Sequence, residues 1–313
     1  MKAVVVEHLG ETGSLKDIAA PHPADHEILV RVTAASVNPI DWKSRDRGDR
    51  AMPFVLGQDF AGLVSATGGR VTKYQEGERI FGIARRHGAF AEYTIVPEDD
   101  RAQPVAKIPD AVGDADAASL PTAGLTALAA IEWLAVTKGT VLLVLGATGG
   151  VGGFAVQIAR DRGARVIGTG RSTNEKFAQS LRIDEFIAYD TEDVAAAVKA
   201  SQPNGVDAIL DLVDNAESAK GMGELLHDDG RFVSTIGAAD VDGLAKRNVA
   251  AINLVMGHTP QSSHAGLRTL VELVEQGRIH VIIAEERPLA EAVDALEDSK
   301  RGAVNGKIVI TVA

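Results

Sequence analysis

The apolar positions of the first ~120 residues fall in short runs of β type, separated by Gly, Pro and charged turns. MKAVVV at the start reads as a first strand, followed by EILVRVTAASV (27–37), FAGLVSAT (60–67), ERIFGI (78–83) and FAEYTIV (90–96). They predict a compact, mostly antiparallel β domain. After Pro121 the period lengthens, and GLTALAAIEWLAV (124–136) has helical spacing. Strands and helices then alternate: TVLLVLGA, a helix over 151–162, ARVIGTG, a helix over 173–181, DEFIAYD, a helix near 192–200, VDAILDLV and RFVSTIG. Apolar strands alternating with amphipathic helices predict a parallel sheet covered on both faces. VAAINLVMG (249–257) is a further β-prone run. Residues 257–313 hold two helices, AGLRTLVELVEQG and LAEAVDALEDSK, and a terminal strand, GKIVITV, expected to pair with a sheet made earlier.

With 313 residues there is room for two well-buried cores. Apolar residues at 45% and charged residues at 24% are ordinary for a globular chain. No apolar run approaches the ~20 residues of a membrane span, and the first apolar run is too short for a signal-peptide core. A cytoplasmic protein without membrane partners is the expectation. The net charge of −11 argues against nucleic acid, whose binding rests on Lys and Arg neutralising phosphates. Cysteine is absent, which removes disulfides, thiolate nucleophiles and Cys-based zinc sites.

The segment Gly146-Ala147-Thr148-Gly149-Gly150-Val151-Gly152 follows an apolar strand and opens a helix. Glycines there permit a tight turn and close approach of backbone N–H groups to a pyrophosphate, and the helix N-terminus adds partial positive charge. Ala147 stands at the first position of the G-x-G-x-x-G pattern, with Gly149 and Gly152 at the second and third. This is the phosphate loop of a Rossmann-type dinucleotide site. NAD binders place Asp or Glu at the end of the next strand to hold the adenosine ribose. Here that end reads Gly170-Arg171-Ser172, with Lys176 one helical turn beyond. Arg171 offers a planar fork for a 2′-phosphate and Ser172 a hydroxyl, so the cofactor expected is NADPH. Replacing Gly170 by Asp together with Arg171 by Ala is expected to shift preference toward NADH.

With these residues in hand, the chain resembles the zinc-independent quinone oxidoreductases of the medium-chain dehydrogenase/reductase superfamily. The resemblance spans nearly the whole length, through VNPID (37–41), LGQDFAGLV (56–64), GERIFG (77–82), GAFAEY (88–93), LPTAGLTA (120–127), GATGGVG (146–152), VDAILDLV (206–213), GRFVSTIG (230–237) and GKIVITV (306–312). It implies an α/β protein of two domains. A GroES-like β-barrel catalytic domain would comprise residues 1–121 and 257–313, and a doubly wound Rossmann domain residues 122–256. It also implies a homodimer joined edge to edge through VAAINLVMG, and an active site in the cleft between domains. Carried over residue by residue, Asn38, Asp41 and Thr126 fall near the nicotinamide, and Tyr189 near the adenosine phosphate. Lys176 falls on the NADPH-phosphate lysine, and Val213, Ile236 and Gly237 on segments whose backbone meets nicotinamide or its ribose. Asp214 stands where the family often has Gly. The residues themselves allow other readings: Asp41 as a helix cap, Asn38 as a turn residue before Pro39, Tyr189 as a strand-end aromatic, Thr126 bonded back to its own helix.

Zinc relatives in the superfamily use Cys and a G-H-E segment, where this chain has Gly57-Gln58-Asp59 and no cysteine. The cysteine-rich structural-zinc lobe is also missing, since five residues join IFG (80–82) to GAFAEY. No metal is expected. Hydride delivery then rests on positioning and hydrogen bonding, toward a small electrophile already activated by conjugation, a quinone or an α,β-unsaturated carbonyl. Asn38, Thr126 and backbone donors would orient the ring and polarise the carbonyl, with water or Asp41 relaying the proton. The alternatives are an enoyl-thioester reductase and a non-catalytic NADPH-binding redox sensor.

Overall fold

A computed structural model describes residues 1–48, 50–302 and 304–312. The chain forms two compact units. One comprises Met1–Leu125, Ser262–Gly277 and the chain from Val281 onward, and the other Thr126–Gln261 with Arg278–His280. Position 313, where the expected catalytic domain ends, lies outside the described residues.

The first unit is built on alternation. In Glu27–Ser36 the side chains of Ile28, Val30, Val32 and Ala34 are buried while Arg31 between them is exposed, as one wetted and one packed face require. That strand sits within a seven-stranded sheet running Ile283–Pro288, Lys307–Thr311, Glu27–Ser36, Asp59–Thr67, Arg79–Ile83 and Val105–Lys107, with Tyr93–Pro97 also pairing Glu27–Ser36. All its pairings are antiparallel except Ile283–Pro288 with Lys307–Thr311. A smaller sheet orders Ser14–Asp17, Lys2–Val6 and Phe54–Val55. Within this unit Phe60, Phe81, Phe90 and Ile80 are fully buried, each contributing roughly 1.5–3 kcal/mol by leaving water. The terminal strand pairs antiparallel with Glu27–Ser36, Ile310 opposite Ala35, as the closing apolar run predicts.

The second unit is a six-stranded sheet, parallel throughout. Its order is Glu185–Ala188, Arg165–Gly170, Val141–Leu145, Val206–Asp211, Leu226–Ser234, Ala250–Asn253. Counted from its first strand in the chain this is 3-2-1-4-5-6, the order of dinucleotide-binding sheets, with the switch point between the strands ending at Leu145 and Asp211. Both faces are covered, so VLLVL carries no polar position. The helix Gly150–Asp161 buries Phe154, Val156 and Ile158, while Asp161 is exposed.

Three segments depart from the periodicity. The strand expected over 90–96 begins only at Tyr93, because Ala89 and Phe90 bond to Leu56 across a turn and Ala91 makes a single bridge to Ala3. The run 249–257 yields only Ala250–Asn253, followed by the short 3₁₀ turn Met256–His258. The helix expected over 173–181 splits into a 3₁₀ turn, Ser172–Asn174, and the helix Glu175–Ser180. Among the described residues no helix is long and apolar enough to cross a membrane.

Candidate functional site

Gly146, at φ +86°, turns the chain sharply out of the strand Val141–Leu145, a conformation that favours glycine. Thr169 of the neighbouring strand anchors the turn, its Oγ1 accepting from Gly146 N (3.1 Å) and its carbonyl from Ala147 N (2.9 Å). Gly149 is extended and caps the helix without a side chain. A Cβ at Gly152 would lie 2.2 Å from the Gly146 carbonyl oxygen, so the loop closes on its helix only with hydrogen there. At Gly149 a Cβ would meet only that oxygen, at 3.6 Å. Gly150, Val151 and Gly152 form the first turn of a 12-residue helix, whose leading N–H groups have no intrahelical acceptor. The tight floor, open rim and helix N-terminus fit a pyrophosphate.

Beside the loop, the residues after Arg165–Gly170 make a polar rim. Arg171 and Ser172 are exposed, as is Lys176 on Glu175–Ser180. Arg171 Nε donates to the Tyr189 hydroxyl (3.1 Å), and Asn174 Nδ2 to Thr148 Oγ1 (3.2 Å). Asp190, which the sequence did not single out, accepts from Ser172 N (2.7 Å) and Ser172 Oγ (2.9 Å). The carboxylate missing from the strand's own end is therefore supplied by the neighbouring strand's end. Gly170 is buried, and a Cβ there would stand 2.9 Å from the Phe186 ring and 3.0 Å from Thr148 Cγ2. An Asp at 170 has too little room to be a clean exchange, which corrects the double replacement; Arg171→Ala alone is the usable probe.

Across the switch point, Val213 lies against the loop, since a Cβ at Gly146 would come within 2.7 Å of Val213 Cγ1. Asp211, fully buried at its strand's end, accepts from Val213 N (3.1 Å) and Asp214 N (2.9 Å), and its Oδ2 is buried without a partner. Burial and the Asp211 charge push the Asp214 carboxyl up to about 6. Ser234 Oγ accepts from Ile236 N and Ala238 N, shaping the turn in which Gly237 takes φ +84°. Tyr189, Val213 and Ile236 are exposed by 47%, 59% and 39%, each one or two residues past a strand's carboxyl end. Large apolar groups left in water at that edge fit a ligand covering them.

In the other unit, Asn38 and Asp41 belong to a buried polar network. Asn38 precedes the helix Pro39–Arg47, and Asp41 Oδ2 accepts from Asn38 N (2.8 Å), the acidic half of a capping box. The Asn38 side chain also has partners outside the helix. Its Nδ2 donates to Asp59 Oδ2 (2.9 Å), and its Oδ1 accepts from Lys307 Nζ (2.6 Å). Lys307 Nζ also donates to Val37 O (3.0 Å). Asp59 accepts from Thr122 N (2.9 Å) and Thr122 Oγ1 (2.6 Å). Burial pushes the Asp59 carboxyl up against Lys307 and these donors, and pushes the Lys307 ammonium down against both aspartates. Asp59 and Lys307 are bridged by the Asn38 amide, which donates to the one and accepts from the other. Asp41 differs. Burial, then the Asp59 charge, outweigh the Asn38 bond and push its carboxyl up to about 7, and its Oδ1 is buried without a partner. Thr126, on Pro121–Trp133, begins the unit that carries the phosphate loop and is 8% exposed.

Gln58, buried, and Asp59 stand where zinc relatives carry His and Glu, and Asp59 is engaged as above. His22 and His26 have H-x-x-x-H spacing, but their segment is not helical, so the spacing does not bring them to one face. Among the described residues no group of three or more His, Cys, Asp or Glu is placed to hold a metal ion. Lys307 and Asp190 escape sequence reasoning, and Asp59 enters it only through the Gly57-Gln58-Asp59 segment. For Lys307 the available signal was a lysine inside an otherwise apolar terminal strand, KIVIT.

Fold and loop together define an oxidoreductase with a Rossmann cofactor unit. Residues 24–110 match the alcohol dehydrogenase GroES-like domain, and residues 181–310 the family model described as zinc-binding dehydrogenase. A chloroplast envelope quinone oxidoreductase homolog of Arabidopsis thaliana is 31% identical, over 94% of this chain and 92% of that protein. The solved quinone oxidoreductase of Coxiella burnetii superposes with a TM-score of 0.90 at 31% identity, covering 100% of this chain and 99% of that one. A mycobacterial protein solved complexed with NADPH gives 0.87 at 27% identity, covering 99% of each chain. The chain belongs to the quinone oxidoreductase-like branch of the medium-chain dehydrogenase/reductase superfamily.

Proposed function

We propose that this enzyme is an NADPH-dependent, metal-free reductase of quinones and other α,β-unsaturated carbonyls. The observation that carries the cofactor reading is the cradle at Gly146–Gly152 flanked by Arg171, Ser172 and Lys176. The first-turn amides of Gly150–Asp161 would hold the pyrophosphate, and Arg171, Ser172 and Lys176 the 2′-phosphate. Tyr189 would lie along the adenosine, with Val213, Ile236 and Gly237 covering the nicotinamide end. The bound cofactor would supply a hydride to the conjugated electrophile. The NADPH complex of the mycobacterial relative and the quinone oxidoreductase relatives support this reading.

Thr126 is proposed to bind substrate or nicotinamide. Asn38 has both ends of its amide engaged, so its proposed part is to hold Asp59 and Lys307 in place rather than to donate to a carbonyl. Burial pushes the Asp41 carboxyl up to about 7, and its Oδ1 is buried without a partner, which supports the proposal that it is the store for the proton the reduced carbonyl takes up. The chain's lack of cysteine and Gln58 at the expected ligand position support chemistry without zinc. A homodimer is supported by Ala250–Asn253, which ends the sheet order, and by exposed Val255 beyond it.

Chelator-treated enzyme, assayed for NADPH consumption against a quinone, an enone, an enoyl-CoA and a simple alcohol, tests this. Turnover of the quinone and enone without added metal is expected. A requirement for zinc, or efficient alcohol oxidation, overturns the metal-free reading. Preference for the enoyl-CoA makes it a thioester reductase, and no turnover with retained NADPH affinity makes it a sensor.

A further inference from the structure

The 2′-phosphate reading rests on Arg171, Ser172 and Lys176, and Asp190 stands among them. Asp190 lies two residues past the strand Glu185–Ala188 and is 18 positions from Ser172 in sequence. It takes both hydrogen bonds that Ser172 can donate, N to Oδ1 at 2.7 Å and Oγ to Oδ2 at 2.9 Å. These two bonds, with the Arg171 charge adding to them, hold the Asp190 carboxyl below the usual carboxylate range, so the group is charged at neutral pH. The Arg171 guanidinium is turned to Tyr189, its Nε on the hydroxyl at 3.1 Å. A phosphate seeking Ser172 therefore meets an anion already on its donors.

We propose that Asp190 is a specificity-determining residue of the cofactor site: its carboxylate occupies the Ser172 donors and holds the preference for NADPH over NADH below what Arg171 and Lys176 alone would set. This rests on the NADPH reading above. A 2′-phosphate must displace the carboxylate from Ser172 and then lie beside its charge, and like charges at that separation repel. A 2′-hydroxyl carries a proton and can donate to a carboxylate, so the ribose of NADH meets no such penalty. Asp190 thus supplies, from the adjacent strand end, the acid that NAD binders carry on the strand after the phosphate loop.

The test is calorimetric titration of adenosine 2′,5′-bisphosphate and of 5′-AMP into wild type, Asp190→Asn, Asp190→Ala and Arg171→Ala. Both Asp190 variants are expected to bind the bisphosphate about tenfold more tightly, equivalent to ~1.4 kcal/mol, with 5′-AMP bound no more tightly than by wild type, and more weakly where its 2′-hydroxyl donates to the carboxylate. An unchanged or weaker bisphosphate affinity in both variants overturns the proposal, as does a parallel shift of the two nucleotides. Arg171→Ala separates the two readings. If it leaves bisphosphate binding intact the NADPH reading falls, whereas a loss there with no gain at Asp190 sinks only the present inference.

Discussion

Asp41 shows how burial decides a residue's chemistry. A carboxyl at the third position of a helix ordinarily serves as an ionised cap. Here it is buried near the Asp59 carboxylate with one oxygen unpartnered, and its carboxyl rises to about 7. The folded chain then binds that proton more tightly than the unfolded chain, whose Asp titrates near 3.8. Stability owed to this group is full below the unfolded value and is lost as pH rises toward 7. Asp41→Asn keeps an acceptor for Asn38 N and cannot ionise. Urea midpoints at pH 5 and pH 8 are expected to show wild type losing about 2 kcal/mol relative to this variant. Equal changes in the two proteins would mean that Asp41 stays ionised across the range. The sequence allowed a cap and a pocket role for Asp41; the cap bond exists, and the charge environment behind it is what a linear pattern cannot report.

At the scale of elements, the terminal strand Lys307–Thr311 supplies the counter-charge that the network needs. Periodicity was enough to predict the strand and its return to the earlier sheet. It did not show that its first residue would be 4% exposed with its ammonium on Asn38 and Val37, 269 and 270 positions away. Removing one partner of a buried ionic group leaves the other uncompensated and costs roughly 3–5 kcal/mol. Lys307→Met is expected to lower stability by that order, and adding Asp59→Asn should recover part of it, read from denaturation midpoints of the single and double variants. Additive losses would break the proposed link between the two residues. Other shortfalls share a local cause. The predicted helix over 173–181 is interrupted because Ser172–Asn174 takes a 3₁₀ turn, its Ser172 bonded to Asp190 rather than to a continuing helix. The helix Ala216–Gly223 begins at Asn215, whose side chain accepts from Glu217 N and Ser218 N, a capping signal carried by the sequence itself.

For the whole molecule, alternation of apolar strands and helices carried the fold class, because a sheet covered on both faces leaves few polar positions and a half-wetted sheet leaves alternating ones. The phosphate loop was legible for the same reason: its requirement is local, hydrogen in place of a Cβ at Gly152 and a left-handed turn at Gly146. Selectivity was less so, since it depends on which strand ends become neighbours. Gly170-Arg171-Ser172 read alone as a site without an acid, and the adjacent strand restores one at Asp190. The balance among Arg171, Lys176 and Asp190 is therefore the centre of the account, and one comparison reaches it most directly. It is the ratio of kcat/KM for NADPH to that for NADH, with a single quinone acceptor, in wild type and Arg171→Ala. A charge-assisted contact worth about 1.5–3 kcal/mol corresponds to roughly 10- to 100-fold. Wild type is expected to favour NADPH, and Arg171→Ala to lose that much with NADPH while NADH stays within twofold. Equal losses with both cofactors, or none with either, would contradict the assignment of this rim to the 2′-phosphate.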